Sequence, residues 1–390
     1  MLTLKEFKEA RAVLSGVILN TSLVYSKAFS RATGNQVYIK PENMQVTGAY
    51  KIRGAYYKIS TLSEEEKARG LVTASAGNHA QGVAYAAQAA GVEATIVMPT
   101  TTPLVKVNNT KDYGAKVILQ GETFDDAAAL AAQLSQEQGL TYVHPFNDPA
   151  VATGQGTISY EIFQDLPDVD VILVPIGGGG LISGIAFAVK SLRPDCRIVG
   201  VQAAGAASMY LSRHAGGPTE LRSVSTIADG IAVKKPGDLT FALCQQYVDE
   251  IVTVSEDEIA SAILALMEVQ KTVAEGAGAT SVAAVMFGKV DTSSRKTVCL
   301  VSGGNVDVTT LSRIITKGLS KAGRIAEITT KVVDKPGSLL QLLKVVADSG
   351  ANILSIDHSR EDQHSDVGAC MVSMVLETRD AEGWFSYLCR

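Results

Sequence analysis

The sequence predicts an α/β fold with two doubly wound parallel-sheet subdomains, a cleft between them, and a smaller α+β module at the C-terminal end. Short apolar runs alternate with helix-like stretches from about residue 36 to residue 315, which is typical of parallel sheets covered by helices. Four consecutive glycines, at positions 177–180, follow one apolar run and open a helix-like stretch. After about residue 323 the pattern changes to alternating polar and apolar residues around one amphipathic helix.

The predicted strands of the larger part are short apolar runs, each long enough for a buried parallel strand. In chain order they cover residues 37–40, 71–74, 94–98, 116–119, 171–176, 197–202 and 298–301. Helices are predicted between them over residues 79–90, 105–113, 123–138 and 181–190. Since helices separate successive strands, the strands are expected to run parallel.

The last part of the chain is organised differently. Residues 316–323 are polar and contain glycine, which predicts a linker. A strand over 324–333, a turn over 334–337, a helix over 338–349, and strands over 353–358 and 368–377 are expected after it. This order is a β-α-β-β module.

The composition favours a soluble cytoplasmic enzyme. Of 390 residues, 46% are hydrophobic and 19% charged, and the net charge of −5 argues against a nucleic acid or an anionic membrane surface as a partner. The five cysteines are scattered without a CxxC pair, which predicts reduced thiols and neither a disulfide framework nor a metal site. Residues 171–189 carry no charge, but Pro175 and the glycines interrupt them, so a strand and a helix are expected there rather than a membrane span.

The glycine run points to a bound anion. A loop without side chains between a strand and a helix lets backbone N–H groups surround a phosphate at the helix N-terminus; the plain alternative is a flexible turn. A Walker loop is excluded, because no Gly-Lys-Ser/Thr follows. A dinucleotide fingerprint also fails, because its third glycine would fall on Ile182 or Ser183 and because Gln202 stands where an acidic residue is needed.

Three further segments carry groups suited to the same ligand. Lys51 lies among small and aromatic residues, which would desolvate its amine, lower its pKa and make it nucleophilic, although a lone lysine is more often simply solvated. Residues 75–79 and 302–305 each follow a predicted strand, at the edge where open α/β sheets bind ligands. Ser75 and Asn78 offer groups for a carboxylate or phenolate oxygen. A phosphate cradle, a nucleophilic lysine and such donors together suggest pyridoxal 5'-phosphate.

Eight segments together resemble the fold-type II pyridoxal-phosphate enzymes of the threonine dehydratase (threonine ammonia-lyase) and serine racemase group, most closely the dehydratases with one C-terminal ACT domain. In family order they are KPEN (40–43), TGAYKIRGA (47–55), SAGNHAQG (75–82), GQGT (154–157), GGGGL (177–181), ADGIAV (228–233), EGAGA (275–279) and SGGN (302–305). The resemblance implies a catalytic domain over 1–315, with a small subdomain of about 45–145 inserted in it, and an ACT-like domain over 324–390.

The resemblance also implies which residues hold the cofactor. Lys51 would bind it covalently, Tyr50 would pack beside its ring, Asn78 would contact the phenolate oxygen, and Ser302 would face the pyridine nitrogen. Glu275 would lie close by. The cofactor-binding set is Lys51, Tyr50, Asn78, Gly177, Gly178, Gly179, Gly180, Leu181 and Ser302. The substrate carboxylate would bind Ser75, Asn78 and His79.

The implied reaction is β-elimination from L-threonine to 2-oxobutanoate and ammonia, and from L-serine to pyruvate, with Lys51 taking the Cα proton. The alternatives are a serine racemase, a dehydratase of another 3-hydroxy amino acid, and a non-enzymatic amino-acid sensor. Racemases of the group carry a proton-transferring serine where this chain has Ala76, which favours the dehydratase. Their metal site is not expected either, because Gln202, Ala206 and Ser208 replace its acidic ligands. The sequence leaves a role in isoleucine biosynthesis or in threonine catabolism equally open.

The C-terminal module resembles an ACT regulatory domain in its DKPG turn (334–337) and GANI segment (350–353). The matching positions for an amino-acid effector are Gly337, Ser338, Leu339 and Asn352, and the plain alternative is a dimerisation module. An ACT fold is βαββαβ, and the sequence ends at Arg390, about where its second helix runs, so the last strand is expected to be missing. A homodimer or homotetramer is expected.

Overall fold

The computed structural model describes residues 2–360 and 366–379 of the chain. It divides into two compact units, of which the first ends at Val306 and the second begins at Asp307. Within the described ranges, no helix is both long and apolar enough to cross a membrane.

The strands of the first unit are numbered here in chain order. They are β1 Val24–Tyr25, β2 Gln36–Pro41, β3 Leu71–Ala74, β4 Ala94–Met98, β5 Lys116–Leu119, β6 Thr141–Tyr142, β7 Val171–Pro175, β8 Arg197–Ala203, β9 Glu250–Val254 and β10 Lys296–Val301.

Helices of the same unit cover the sheet faces. They are α1 Leu4–Leu14, α2 Lys27–Thr33, α3 Lys51–Ser60, α4 Glu64–Arg69, α5 Asn78–Ala90, α6 Leu104–Asp112, α7 Phe124–Gln138, α8 Pro149–Gly156, α9 Ile158–Asp165, α10 Gly180–Leu192, α11 Ser208–Ala215, α12 Asp238–Tyr247, α13 Glu256–Ala265 and α14 Gly276–Met286. A π-helical turn, Leu266–Gln270, extends α13.

Two sheets confirm the predicted α/β architecture. The larger has the order β1-β2-β10-β7-β8-β9, and all its neighbours are parallel except β1 and β2. The smaller has the order β5-β4-β3-β6 and is parallel throughout. Its strands all lie between β2 and β7 in the sequence, within the range 45–145 that the resemblance assigns to a small subdomain.

The core explains why the central elements read as uninterrupted apolar runs. Every residue of β7 is buried, and α10 buries Ile182, Ile185 and Val189 against the same cluster. Both faces of a parallel sheet are covered by helices, so a central strand has no polar face. This buried strand and helix carry the glycine run between them.

The second unit contains α15 Val308–Lys321, β11 Ile325–Val333, α16 Ser338–Asp348, β12 Asn352–Ser359 and β13 Ala369–Glu377. Its strands form an antiparallel sheet of order β11-β13-β12. The β-α-β-β order from β11 to β13 agrees with the expected module.

One expectation for this region is wrong, and a second falls on residues that the structure does not describe. Most of the linker expected over 316–323 is helical, because α15, whose N-terminus is capped by the side chain of Asp307, continues to Lys321. Lysine, leucine and serine all tolerate a helix, so the polar composition did not end it. Residues 380–390, where the second ACT helix is expected, lie outside the described residues.

Candidate active site

The site begins where α3 meets the segment that follows β10. The backbone N–H of Tyr50 donates to the carbonyl oxygen of Ser302 at 3.1 Å, and the N–H of Gly304 donates to the carbonyl of Gly48 at 2.9 Å. Two motifs more than 250 residues apart are thereby joined by backbone hydrogen bonds. Lys51, the first residue of α3, is placed directly beside the carboxyl end of β10.

The amine of Lys51 lies in a poorly hydrated setting. Its Nζ donates to the carbonyl oxygen of Pro145 at 2.8 Å and lies 5.4 Å from the centre of the Tyr50 ring. Burial lowers the pKa of Lys51 to about 8, although the charge of Glu275 acts in the opposite direction. Near neutral pH a useful fraction of this amine is therefore uncharged and nucleophilic.

Two histidines near Lys51 are neutral. Burial and the charge of Lys51 lower the pKa of His79 to about 3 and that of His144 to about 4. The Nδ1 of His144 accepts hydrogen bonds from the backbone N–H groups of Phe146 and Asn147 at 3.2 and 2.8 Å, which places its proton on Nε2.

The side chain of His79 does not suit the carboxylate-binding role expected for it. Its Nε2 lies 3.0 Å from the carbonyl oxygen of Val143, which can only accept, so Nε2 carries the proton. Its Nδ1 is buried without a partner and can only accept. A neutral imidazole in this arrangement has no N–H for an anion, so only the backbone N–H of His79, in the first turn of α5, fits that role.

Asn78 is held by two side chains. Its Nδ2 donates to Oε1 of Glu275 at 2.7 Å, and its Oδ1 accepts from Nδ2 of Asn305 at 2.8 Å. Asn305 also donates to the carbonyl oxygen of Thr47 at 2.8 Å. Burial raises the pKa of Glu275 to about 7, although the hydrogen bond from Asn78 opposes the shift. Asn305 has no role in the sequence interpretation, but it belongs to the SGGN segment that was singled out.

The glycine loop is packed too tightly for side chains. A Cβ on Gly178 would lie 2.4 Å from the Phe146 ring, and one on Gly180 would lie 2.8 Å from the Phe146 backbone. Gly179 has a φ of +98°, which disfavours any other residue. The Thr240 hydroxyl donates to the carbonyl oxygen of Gly178 at 2.5 Å.

Phe146 connects this loop to the lysine, because it directly follows Pro145, the residue whose carbonyl Lys51 contacts. Sequence reasoning missed both Phe146 and Thr240, since neither lies in a recognised segment.

Ser75 and Ser302 lie at strand ends, as expected. The N–H of Ser75 donates to the carbonyl of Val97, and its Oγ accepts from the N–H of Gly77 at 3.2 Å. Ser302 is 2% exposed and directly follows β10.

The residues expected to hold an effector do not form one site within a single chain. Gly337, with a φ of +92°, precedes α16 and is followed by Ser338 and Leu339. The register opposes Val333 to Ala369 and Asn352 to Glu377, at the two ends of β13. Asn352 is therefore at the opposite end of the sheet from the turn that follows β11.

These residues fit pyridoxal phosphate. The glycine loop and the first N–H groups of α10 have no intrahelical partners and suit a phosphate. The amine of Lys51 suits an aldehyde carbon, and the carboxamide of Asn78 suits a phenolic oxygen. Fold and site together define an α/β enzyme built around a lysine and a phosphate cradle. A family model described as pyridoxal-phosphate dependent enzyme matches residues 14–304, and the chain belongs to that family.

Several known proteins resemble the chain over most of its length. An L-threonine ammonia-lyase of Thermotoga maritima is 53% identical over 380 residues, covering 97% of this chain and 94% of that protein. The processed form of threonine deaminase isoform 2 from Solanum lycopersicum has a TM-score of 0.77 at 41% identity, covering 80% of this chain and 87% of that one. Maize serine racemase also has a TM-score of 0.77, at 36% identity, covering 82% of this chain and 98% of that one.

Proposed function

We propose that this protein is a pyridoxal-phosphate-dependent threonine ammonia-lyase that converts L-threonine to 2-oxobutanoate and ammonia, and L-serine to pyruvate and ammonia. The observation that carries the proposal is the partly buried amine of Lys51, with its pKa lowered to about 8, beside the Pro145–Phe146 segment that packs on the glycine loop. The names of the relatives from Thermotoga maritima and Solanum lycopersicum support the choice of substrate.

Lys51 would handle the proton of the reaction. When bound, the cofactor supplies the electron sink that makes a substrate Cα–H acidic. The neutral amine of Lys51 can accept that proton, because burial keeps it from being fully protonated near neutral pH. His79 and His144, with pKa values of about 3 and 4, stay neutral and add no competing charge.

A serine racemase is the second candidate, supported by the similarity to the maize enzyme. Racemisation needs a proton donor on the side of Cα opposite the lysine. At the position where racemases of the group carry a serine, this chain has Ala76, whose methyl group cannot transfer a proton. Elimination is therefore favoured. Reaction in deuterium oxide tests the choice, since appreciable formation of deuterated D-amino acid would contradict it.

The direct test is keto-acid release by the cofactor-loaded protein from threonine, serine and larger 3-hydroxy amino acids. We expect threonine to give 2-oxobutanoate, and Lys51→Ala to abolish both this activity and the visible absorption of the bound cofactor. Lys58→Ala is the matched control, because Lys58 lies on the same helix and pairs with Asp148 at 2.9 Å. An active Lys51→Ala variant would refute the proposed role.

We further propose that the second unit joins subunits into a homodimer or homotetramer and binds an amino-acid effector. Exposed apolar side chains support the assembly role: Leu340 and Val345 on α16 are 70% and 62% exposed. Because Asn352 and the turn before α16 lie at opposite ends of β13, an effector site using both would need two copies of the unit. In the cell, the protein would act in the cytoplasm, either in isoleucine biosynthesis or in threonine catabolism.

A further inference from the structure

One end of the C-terminal sheet gathers three metal-ligating side chains that the proposed reaction does not use. They are Asp334, His358 and Cys370, and the ligand atom that each offers lies within 4.8 Å of the other two. Within residues 2–360 and 366–379 no other group of three or more such side chains meets this condition. The scattered cysteines gave no sign of it in the sequence.

The strand register explains why the three side chains meet. Cys370 on β13 is paired with Val332 on β11, and His358 on β12 is paired with Val372 on β13. Residues two apart in a strand point to the same face, so Cys370 and Val372 share a face, and directly paired residues share it too. His358 and Cys370 therefore lie diagonally across one face. Asp334 directly follows the last residue of β11 and lies two residues after Val332, so its side chain is on the same face as that of Val332.

Their contacts are those of a polar cluster around one thiol. The Nε2 of His358 lies 3.0 Å from Sγ of Cys370, and that thiol lies 3.3 Å from the carbonyl oxygen of Val332. Cys370 is only 2% exposed, whereas His358 and Asp334 are exposed. A buried sulfur flanked by two solvent-accessible ligands leaves an open side from which an ion can enter.

We propose that Asp334, His358 and Cys370 bind a divalent transition metal ion, with Zn²⁺ the preferred one. A thiolate, an imidazole and a carboxylate are the three side-chain ligands that Zn²⁺ takes, and water completes the tetrahedron. Binding displaces the thiol proton of Cys370 to solvent, and the two negative ligands then balance the charge of the ion.

The geometry needs only a small adjustment. Tetrahedral bonds of about 2.3 Å to sulfur and about 2.0 Å to nitrogen separate the two ligand atoms by roughly 3.5 Å. The present separation of 3.0 Å between His358 and Cys370 must therefore widen by about half an ångström. Since His358 is exposed, a rotation of its side chain can supply this without moving the strands.

Arg360 is the internal competitor for this site. Its Nε donates to one Asp334 carboxylate oxygen at 2.8 Å, and its Nη2 donates to the other at 3.2 Å. A metal ion must displace this guanidinium or share the carboxylate with it. Removing the guanidinium is therefore expected to strengthen metal binding. If the cluster only stabilised the fold, the same substitution would give no such gain.

The expected consequence is a link between the metal and the turn before α16. The three ligands come from the end of β11, from β12 and from the start of β13, so one ion would join all three strands at that end. Asp334 is the first residue of the turn that leads to Gly337. A carboxylate bound to the metal ion would hold this turn in place.

The test uses the full-length, cofactor-loaded enzyme after removal of metals with a chelator. Titration with Co²⁺, followed by its visible ligand-field bands and its thiolate charge-transfer band, should reveal one tetrahedral ion per chain, and Zn²⁺ should displace it. Cys370→Ser should abolish the charge-transfer band and stoichiometric binding. Arg360→Met should bind Zn²⁺ about tenfold more tightly, a gain of about 1.4 kcal/mol.

Cys196→Ser is the matched control, because Cys196 is also 2% exposed but lies in the first unit. It should bind metal like the unchanged protein. Circular dichroism establishes that each variant is folded. In the unchanged chain, alkylation of the Cys370 thiol gives a second readout, because bound Zn²⁺ should protect that thiol from the alkylating reagent. Absence of stoichiometric binding, or binding that survives Cys370→Ser, would overturn the proposal.

Discussion

The Nδ2 of Asn78 donates a 2.7 Å hydrogen bond to Oε1 of Glu275, although the two residues are 197 positions apart in the chain. Glu275 is partly buried, and the desolvation of its carboxyl group raises its pKa to about 7. Its charge in turn opposes the lowering of the pKa of Lys51. The carboxyl group of Glu275, which titrates near neutral pH, is thus electrostatically coupled to the amine of Lys51. It is also hydrogen-bonded to the side chain of Asn78, which is expected to contact the cofactor.

Glu275→Gln should therefore lower the pKa of Lys51 below about 8, because the variant keeps an acceptor for Asn78 but loses the negative charge. The neutral amine is the form that captures an aldehyde, so capture rises with pH through the lysine pKa. In the variant this rise should occur at lower pH. Stopped-flow measurement of cofactor uptake by the cofactor-free protein gives the profile. Glu65→Gln, at an exposed position, is the control, and coincident profiles would contradict the coupling.

Arg53→Met should destabilise the protein strongly. Arg53 is fully buried and donates to both oxygens of Glu42, at 2.8 Å each, and to both oxygens of Glu161, at 2.6 and 2.8 Å. Burial raises the pKa of Glu42, but the attraction and hydrogen bonds of Arg53 outweigh it, and the net pKa is low. Removing the guanidinium leaves Glu42 and Glu161 with Lys40 as their remaining positive neighbour, at a cost of about 3–5 kcal/mol.

Urea unfolding of the cofactor-loaded enzyme measures this loss, with Arg31→Met, an exposed arginine on α2, as the control. The sign of the pH dependence adds a second check. Without Arg53 the folded-state pKa of Glu42 should rise above that of the unfolded chain, so the variant should regain stability as the pH falls. Equal stability of Arg53→Met and Arg31→Met would refute the assignment.

Gly178→Ala should weaken cofactor binding about tenfold or more, equivalent to about 1.4 kcal/mol, because its Cβ would lie 2.4 Å from the Phe146 ring and displace the loop. Gly217→Ala is the control, since its Cβ would meet nothing within 4 Å. Fluorescence titration with pyridoxal phosphate measures both affinities. Adding Phe146→Leu should recover part of the loss, because the two substitutions share one contact. Strictly additive effects would count against this contact.

Leu340→Lys should reduce the size of the assembly if the second unit joins subunits through its exposed apolar side chains. Sedimentation velocity on the full-length protein measures the change, and a chain ending at Val306, where the first unit ends, should show the same or a larger reduction. Lys344→Ala on the same helix, which removes no apolar side chain, is the control. An unchanged assembly in both altered proteins would contradict the bridging role.

Local patterns accounted for most of the fold. The runs at 71–74, 94–98 and 116–119 coincide with β3, β4 and β5, because each is a short apolar run that is visible in the sequence. Strands β3 and β4 are largely buried, as expected for parallel strands, whereas β5 lies at the edge of its sheet and is exposed at both ends. Helix α15 was not predicted, and a linker was expected over its last residues, because its last turn is polar; only the structure shows that the helix continues to Lys321.

The sequence by itself determined the class of enzyme, because Lys51, Asn78 and the four glycines lie in short segments whose residue types serve one cofactor. Only the tertiary structure decided which groups surround them. These groups meet through contacts between separate elements of the fold: the carbonyl of Pro145 at Lys51, Phe146 against the glycines, Arg53 between carboxylates up to 108 residues away, and Cys370 beside His358 on the neighbouring strand. Such contacts depend on chain packing and strand register, which local residue patterns do not encode. The same packing directs the only ring N–H of His79 to the carbonyl of Val143, so the ring has no N–H left for an anion. The residues that flank His79 in the sequence do not indicate this.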